Sequence, residues 1–198
     1  MELLIVQHAD IPQIWGNPGL SPLGFEHAGA IGRWLHRQRA IDLLFSSPLR
    51  RARETAEQIA LESGKATSDI RVDHRLRERM NWLGATAQEP GASLAQWHAS
   101  FADREMRLAG AETSLECGER MAAFVTELRE RHEGRRIVAV SHGGATVDLA
   151  LTMWGAAAIR RRSPKLLDEG PMPCAVTRIQ TQGEHLVLYS IGTQYMLR

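Results

Sequence analysis

Leu3-Leu4-Ile5-Val6-Gln7-His8-Ala9-Asp10 decides how this chain is read: four apolar residues in a row stop abruptly at a polar cluster headed by a histidine. A run with no polar alternation suits a strand covered on both faces, the usual condition of a parallel sheet in an α/β fold. Ligands in such sheets bind where the strands end, so His8 stands at the rim that matters. Taken alone, a strand-end histidine more often just hydrogen-bonds a neighbouring loop. Its significance depends on what the rest of the chain brings to the same rim.

The whole chain sets bounds on that question. With 198 residues, 43% of them hydrophobic, and no Pro/Gly/Ser-rich linker, residues 1–198 read as one domain with a single well-buried core. Twenty-four basic against 23 acidic residues leave a net charge of +1, which argues against a nucleic-acid partner held by a general positive field. The first apolar run is too short for a signal segment, and no run has membrane-spanning length. The expectation is a cytoplasmic protein without membrane or nucleic-acid partners. Cys117 and Cys174 match neither a CxxC pair nor a zinc spacing and are expected to be reduced, inert thiols.

Beyond the first strand, Pro12 to Pro22 is turn-rich, and Ser21-Pro22 then caps and opens a helix with Ala28, Ile31, Trp34 and Leu35 on one face. Asp42 to Phe45 is a second buried strand. Ser47 is expected to cap, and Pro48 to open, a helix whose first two turns carry Arg50, Arg51 and Arg53. Cations at a helix N-terminus oppose the macrodipole, and a bound anion would account for them. A short strand at Ile70 to Val72 leads to Leu76-Arg77-Glu78. Residues 84–110 are polar and glycine-punctuated, with a helix expected from Ser93 to about Leu108, and 79–113 is expected to lie over the strand ends as a lid. Ser114 to His132 is an amphipathic helix that feeds the strand Arg136 to Val140, then Ser141-His142-Gly143-Gly144 and a helix from Ala145 to Trp154. Two strands, Ala175 to Ile179 and Leu186 to Ile191, with a turn at Gln182-Gly183, complete the chain.

Right-handed crossovers bring strands ending at His8, before Arg51 and at His142 to one rim. Two imidazoles, a guanidinium and a helix N-terminus suit phosphate, because the planar guanidinium binds two oxygens and free N–H groups point outward. Glu78 adds a carboxyl group placed to exchange protons. A three-ligand metal site from His8, His142 and Glu78 is the competing reading, but Arg51 beside it would repel a divalent cation. No metal and no cofactor is expected.

At this point the sequence resembles the histidine phosphatase superfamily, the phosphoglycerate mutase-like fold, over essentially its whole length. The motifs are Gln7-His8-Ala9, Ser47-Pro48-Leu49-Arg50-Arg51-Ala52, Leu76-Arg77-Glu78 and Ser141-His142-Gly143-Gly144. The resemblance implies a three-layer α/β/α sandwich with a mostly parallel central sheet. It implies His8 as the phosphoryl-accepting nucleophile, Glu78 as the proton donor to the leaving oxygen, and Arg51 and His142 as phosphate ligands, with Gln7 and Gly143 also facing substrate. The activity implied is a phosphoric monoester hydrolase acting on a phosphorylated small molecule or a phosphoprotein. A weak or inactive phosphate-binding module and a mutase are the alternatives.

Two departures stand out. Gln7 occupies the place of the family's signature arginine, and Ala9 that of its glycine. Glutamine keeps hydrogen bonds to phosphate but removes a full charge, unless Arg50, Arg53 or Arg79 refills the space. Trp34, Trp97 and Trp154 read as core, and Arg160-Arg161-Arg162 with Lys165 as a solvated charge run rather than a second anion site.

Overall fold

The computed structural model describes residues 1–12, 16–79, 98–107 and 111–195. Six strands form one sheet in the order β3-β2-β4-β1-β5-β6, with β1 at Glu2–Gln7, β2 at Leu43–Ser46, β3 at Ile70–Val72, β4 at Arg136–Ser141, β5 at Val176–Gln182 and β6 at His185–Thr193. The four strands from β3 to β1 pair in parallel, and β5 and β6 extend the sheet antiparallel. The apolar run that opens the chain is therefore a central strand. Leu3 and Ile5 pack on one face and Leu4 and Val6 on the other, all at most 2% exposed. β4 repeats the pattern, with Ile137 and Ala139 opposite Val138 and Val140. Truncating one such leucine to alanine costs about 2–5 kcal/mol.

Helices cover both faces. Helices α1 (Pro22–Gln38) and α2 (Arg50–Glu62) pack on the Leu4 side, while α3 (Ser114–Arg131) and α4 (Gly143–Arg162) pack on the Leu3 side. This is the expected three-layer α/β/α sandwich with a mostly parallel centre. Ser21 caps α1 through Gly24 N–H, with Pro22 in its first turn, and Thr113 with Glu116 forms a reciprocal capping box on α3. A short helix, α5 (Leu166–Glu169), follows α4.

Several boundaries differ from the sequence expectation. Helix α2 begins at Arg50, with Leu49 at the cap and no side-chain capping bond, so neither Ser47 nor Pro48 starts it. Helix α4 runs past Trp154 to Arg162, interrupted at Gly155, whose φ of 76° breaks the hydrogen-bond ladder before Ala-rich sequence resumes it. β5 extends through Gln182 because β6 pairs with it that far, moving the turn to Gly183 and Glu184. Trp34 stacks on Tyr195, and Trp154 packs on the core with its indole N–H on Leu186 O of edge strand β6. Arg160 to Arg162 form the last turn of α4 instead of a loop, with Arg162 donating to Leu188 O of the same strand and Arg160 paired with Asp168. Such occupied carbonyls blunt an edge that could otherwise recruit another strand. Most of the segment expected as a lid, together with Trp97, lies outside the described residues; within it, 98–102 are helical.

Candidate active site

The β1–β4 register assembles the rim. Gln7 pairs with Ser141, so the next residues, His8 and His142, emerge side by side from adjacent parallel strands, their ring centroids 5.2 Å apart. β2 lies on the other side of β4, with Ser46 opposite Val140, so Ser47 emerges beside Ser141. Ser47 Oγ lies 2.8 Å from His142 Nε2 and accepts the Leu49 N–H at 3.3 Å. Ser47 is thus a partner of the imidazole, not a helix cap. The sequence reading missed this because strand register is invisible to a local pattern.

His8 is held from three directions. Its N–H donates to Ser141 O at 3.0 Å, its carbonyl accepts Cys174 N–H at 3.3 Å, and Nδ1 lies 2.8 Å from Ala9 O. A carbonyl only accepts, so the ring proton is on Nδ1 and Nε2 keeps its lone pair. Burial, then the Arg51 charge, pushes the His8 pKa down to about 4, against the weaker pull of Ala9 O and Asp10. His142, fully buried, is held well below the ordinary histidine range by burial first, then by His8 and Arg51. Both rings are neutral at neutral pH.

Arg51, the second residue of α2, is 5% exposed and its Nε has no hydrogen-bond partner. Burial lowers its pKa, and the Glu78 charge opposes that shift. Arg50 and Arg53, its companions on the helix, instead pair with Glu54 and Glu57 along the exposed face. Only one of the three arginines therefore serves the rim. Thr55 ties α2 to the end of the His8 strand, accepting Ala9 N–H at 3.0 Å while donating to Arg51 O at 2.8 Å. Ala9 is fully buried and has no positive φ, so its backbone does not require glycine there.

Glu78 follows a 3-10 turn, His74–Leu76, capped by Asp73. Its Oε1 accepts the N–H groups of Arg79 at 2.8 Å and Ala145 at 3.1 Å, and its Oε2 accepts Gly144 N–H at 3.1 Å. A carboxylate on the first turn of α4 complements the helix dipole. Gly143 is needed for close approach: a Cβ there would lie 2.9 Å from Pro171 Cγ and 3.1 Å from Gln7 Oε1. Gln7 Oε1 and His142 Nδ1 are, like Arg51 Nε, buried without hydrogen-bond partners. Arg79 does not refill the space beside Gln7; it ends on Asp148, 3.0 Å away.

Five of the six residues singled out from sequence, Gln7, His8, Arg51, His142 and Gly143, therefore meet on one rim, and Glu78 approaches it from the first turn of α4. Among the described residues no cluster of three His, Cys, Asp or Glu side chains has metal-holding geometry. No helix among them is long and apolar enough to cross a membrane.

Known proteins share this arrangement of chain. A glucosyl-3-phosphoglycerate phosphatase of Mycolicibacterium vanbaalenii is 35% identical over 147 residues, covering 69% of this chain and 63% of its own. Phosphoserine phosphatase 1 of Hydrogenobacter thermophilus is 28% identical over 155 residues, 72% of this chain and 71% of its own. A 2,3-bisphosphoglycerate-dependent phosphoglycerate mutase of Methylorubrum populi is 28% identical over 151 residues, 71% of this chain and 70% of its own. Among solved structures, a mycobacterial glucosyl-3-phosphoglycerate phosphatase in complex with VO3 superposes with a TM-score of 0.73 at 25% identity, covering 98% of this chain and 99% of that one. The model of the histidine phosphatase superfamily (branch 1) matches residues 6–193, which include every rim residue described above. With the strand order, the paired histidines and this match in agreement, the chain belongs to the histidine phosphatase superfamily.

Proposed function

We propose that the protein is a phosphoric monoester hydrolase that works through a phosphohistidine on His8, with a phosphorylated small molecule or a phosphoprotein as substrate. The observation that carries this reading is the fixed tautomer: Ala9 O accepts the Nδ1–H hydrogen bond, which leaves the Nε2 lone pair beside a buried guanidinium whose Nε has no hydrogen-bond partner. His8 Nε2 forms a bond to phosphorus as the bond from phosphorus to the ester oxygen breaks in line. Glu78, in its acid form, gives its proton to that oxygen, and the resulting carboxylate is stabilised by the N–H groups of Arg79, Gly144 and Ala145. Arg51 and His142 hold the equatorial phosphoryl oxygens, with Gln7 and the Gly143 backbone beside them. In the second displacement Glu78 takes a proton from the attacking water, phosphate leaves, and His8 returns to its starting tautomer. Relatives with phosphatase names favour hydrolysis; a mutase would return the phosphoryl group to a second hydroxyl instead.

The test is direct. Acid-sensitive, base-stable phosphoenzyme should accumulate on quenching during turnover of p-nitrophenyl phosphate, and His8→Ala should abolish both label and turnover while the protein stays folded. Turnover retained in His8→Ala sinks the mechanism. Interconversion of phosphoglycerate isomers faster than phosphate release would replace hydrolase with mutase.

A further inference from the structure

Glu78 and Arg79 are adjacent in sequence, yet their side chains grip the same helix at two heights. Glu78 accepts the N–H groups of Gly144 and Ala145, and the Arg79 guanidinium reaches Asp148, four residues beyond Gly144. Residues four apart share one face of a helix, about 6 Å apart along its axis. Two consecutive residues thus hold α4 at its N-terminal end and again one turn further along.

The second grip is buried. The Arg79 side chain is 1% exposed and that of Asp148 0%, with Nε to Oδ2 at 3.0 Å. Arg79 Nη2 also donates to Ser100 Oγ at 2.9 Å, and its guanidinium lies 5.7 Å from the Phe101 ring centroid. Asp148 Oδ1 accepts Ser114 Oγ–H at 2.6 Å from the first turn of α3. Arg104 closes the far side, its Nε on Ser114 Oγ at 3.1 Å and its Nη2 on Asp148 O at 3.3 Å and Thr152 Oγ1 at 2.6 Å. A buried ion pair gives little net stability, since desolvating two charges offsets their attraction, and its best-attested use is to fix one packing arrangement over others. Nothing in the four rim motifs calls for a charge at either position.

We propose that the Arg79–Asp148 pair is a positioning device for Glu78: it locks the turn carrying the carboxyl group onto α4 and thereby sets where the proton meets the leaving oxygen. Arg79 and Asp148 act through Glu78 and are positioning residues; neither needs to touch the phosphate. The proposal rests on Glu78 being the proton donor. Loosening the clamp should then matter in proportion to how much the leaving group needs that proton. An alkoxide needs it and a nitrophenolate hardly does.

The experiment compares wild type, Glu78→Gln, Asp148→Asn and the double variant Arg79→Met with Asp148→Leu. Each is assayed on an alkyl phosphate such as β-glycerophosphate and on p-nitrophenyl phosphate, with vanadate inhibition and thermal melting in parallel. The double variant removes both charges together, so no unpaired ion is left in the core. Asp148→Asn and the double variant should lose roughly 10–100-fold in kcat on the alkyl ester, a partial loss of what general acid catalysis contributes. Aryl turnover and the vanadate inhibition constant should stay unchanged. If Glu78→Gln splits the two substrates and the double variant does not, the positioning role is rejected while the proton-donor reading stands. If Glu78→Gln costs both substrates equally, the proton-donor reading fails and the proposal falls with it. If neither Asp148 variant melts cooperatively, the pair is a folding requirement and the positioning role is likewise rejected.

Discussion

The two ends of the central sheet each bury an arginine, and the two arginines do opposite things. At the amino end Arg136, 2% exposed, spends its guanidinium on the fold: Nη1 donates to Leu35 O at 3.0 Å and to Arg39 O, and Nε lies 3.2 Å from Glu2. Those carbonyls belong to the end of α1 and the residue after it, where cations are favoured. At the carboxyl end Arg51, 5% exposed, leaves Nε without a partner, and among the described residues no carboxylate lies within ion-pair distance of it. Residue type and burial are nearly the same. What separates Arg136 from Arg51, the proposed phosphate ligand, is whether its bonds end inside the protein, because a buried donor left open is costly unless a ligand takes it.

The sharpest way to break this comparison is to remove each arginine in turn. Arg51→Met should lower kcat/KM for a phosphate monoester about 10²–10³-fold, the loss typical of one donor aimed at developing charge. The urea midpoint should hold steady or rise, because an unpaired buried charge has gone. Arg136→Met should do the reverse, costing about 3 kcal/mol of stability as a buried pair is broken. Its cost sits at the low end because Glu2 keeps Arg178, 2.8 Å away. Turnover per folded molecule should not change. Equal stability losses in the two variants would erase the distinction.

Acid should also treat the two ends differently. The folded-state pKa of His8, about 4, lies below its ordinary 6.5. Between those values the unfolded chain binds a proton that the folded chain refuses. This contribution to stability is therefore complete above pH 6.5 and is lost as pH falls toward 4, up to roughly 3 kcal/mol. His142 acts in the same direction. At the amino end Asp42 is held below its ordinary 3.8, chiefly by the Arg136 N–H, so its contribution is whole above pH 3.8 and is lost only as pH falls from there through the lowered value. Urea midpoints at successive pH values should decline below pH 6.5 in wild type and decline less in His8→Ala. The same slope in both proteins would place the acid sensitivity elsewhere.

The smallest expected effect sharpens the contrast at one position. Arg50, Arg53 and Arg79 all end on carboxylates away from Gln7, so none of them puts a positive charge beside it. Gln7→Arg should tighten inhibition by phosphate or vanadate about five- to thirtyfold, the difference of 1–2 kcal/mol between a neutral and a charge-assisted hydrogen bond. Unchanged or weaker oxyanion binding would mean a pocket rebuilt around glutamine.

Much of this was legible in the chain. The unbroken apolar run at Leu3 to Val6 implied burial on both faces, and its stop at His8 implied a rim residue. A second strand stopping at His142 repeated the signal. The misread residue at the rim was Ser47, whose position before proline looked like a helix start. Its hydroxyl instead faces an imidazole 95 residues away in sequence. Asp148 was invisible for a related reason: on the sequence it is one acidic residue in a helix with no other acidic residue and no motif around it.

The sequence by itself determined which elements form and which polar residues end the strands at one rim. Apolar periodicity, caps and strand-end polar residues are local properties of a few consecutive side chains. Only the tertiary structure decided that Arg51 Nε finds no partner inside the protein, which nitrogen of His8 carries the proton, and that Glu78 and Arg79 grip one helix. Each of those depends on partners that are distant in sequence and meet through strand register and helix docking. A hydrogen bond is made or lost over a few tenths of an ångström, a distance that no local pattern of residues encodes.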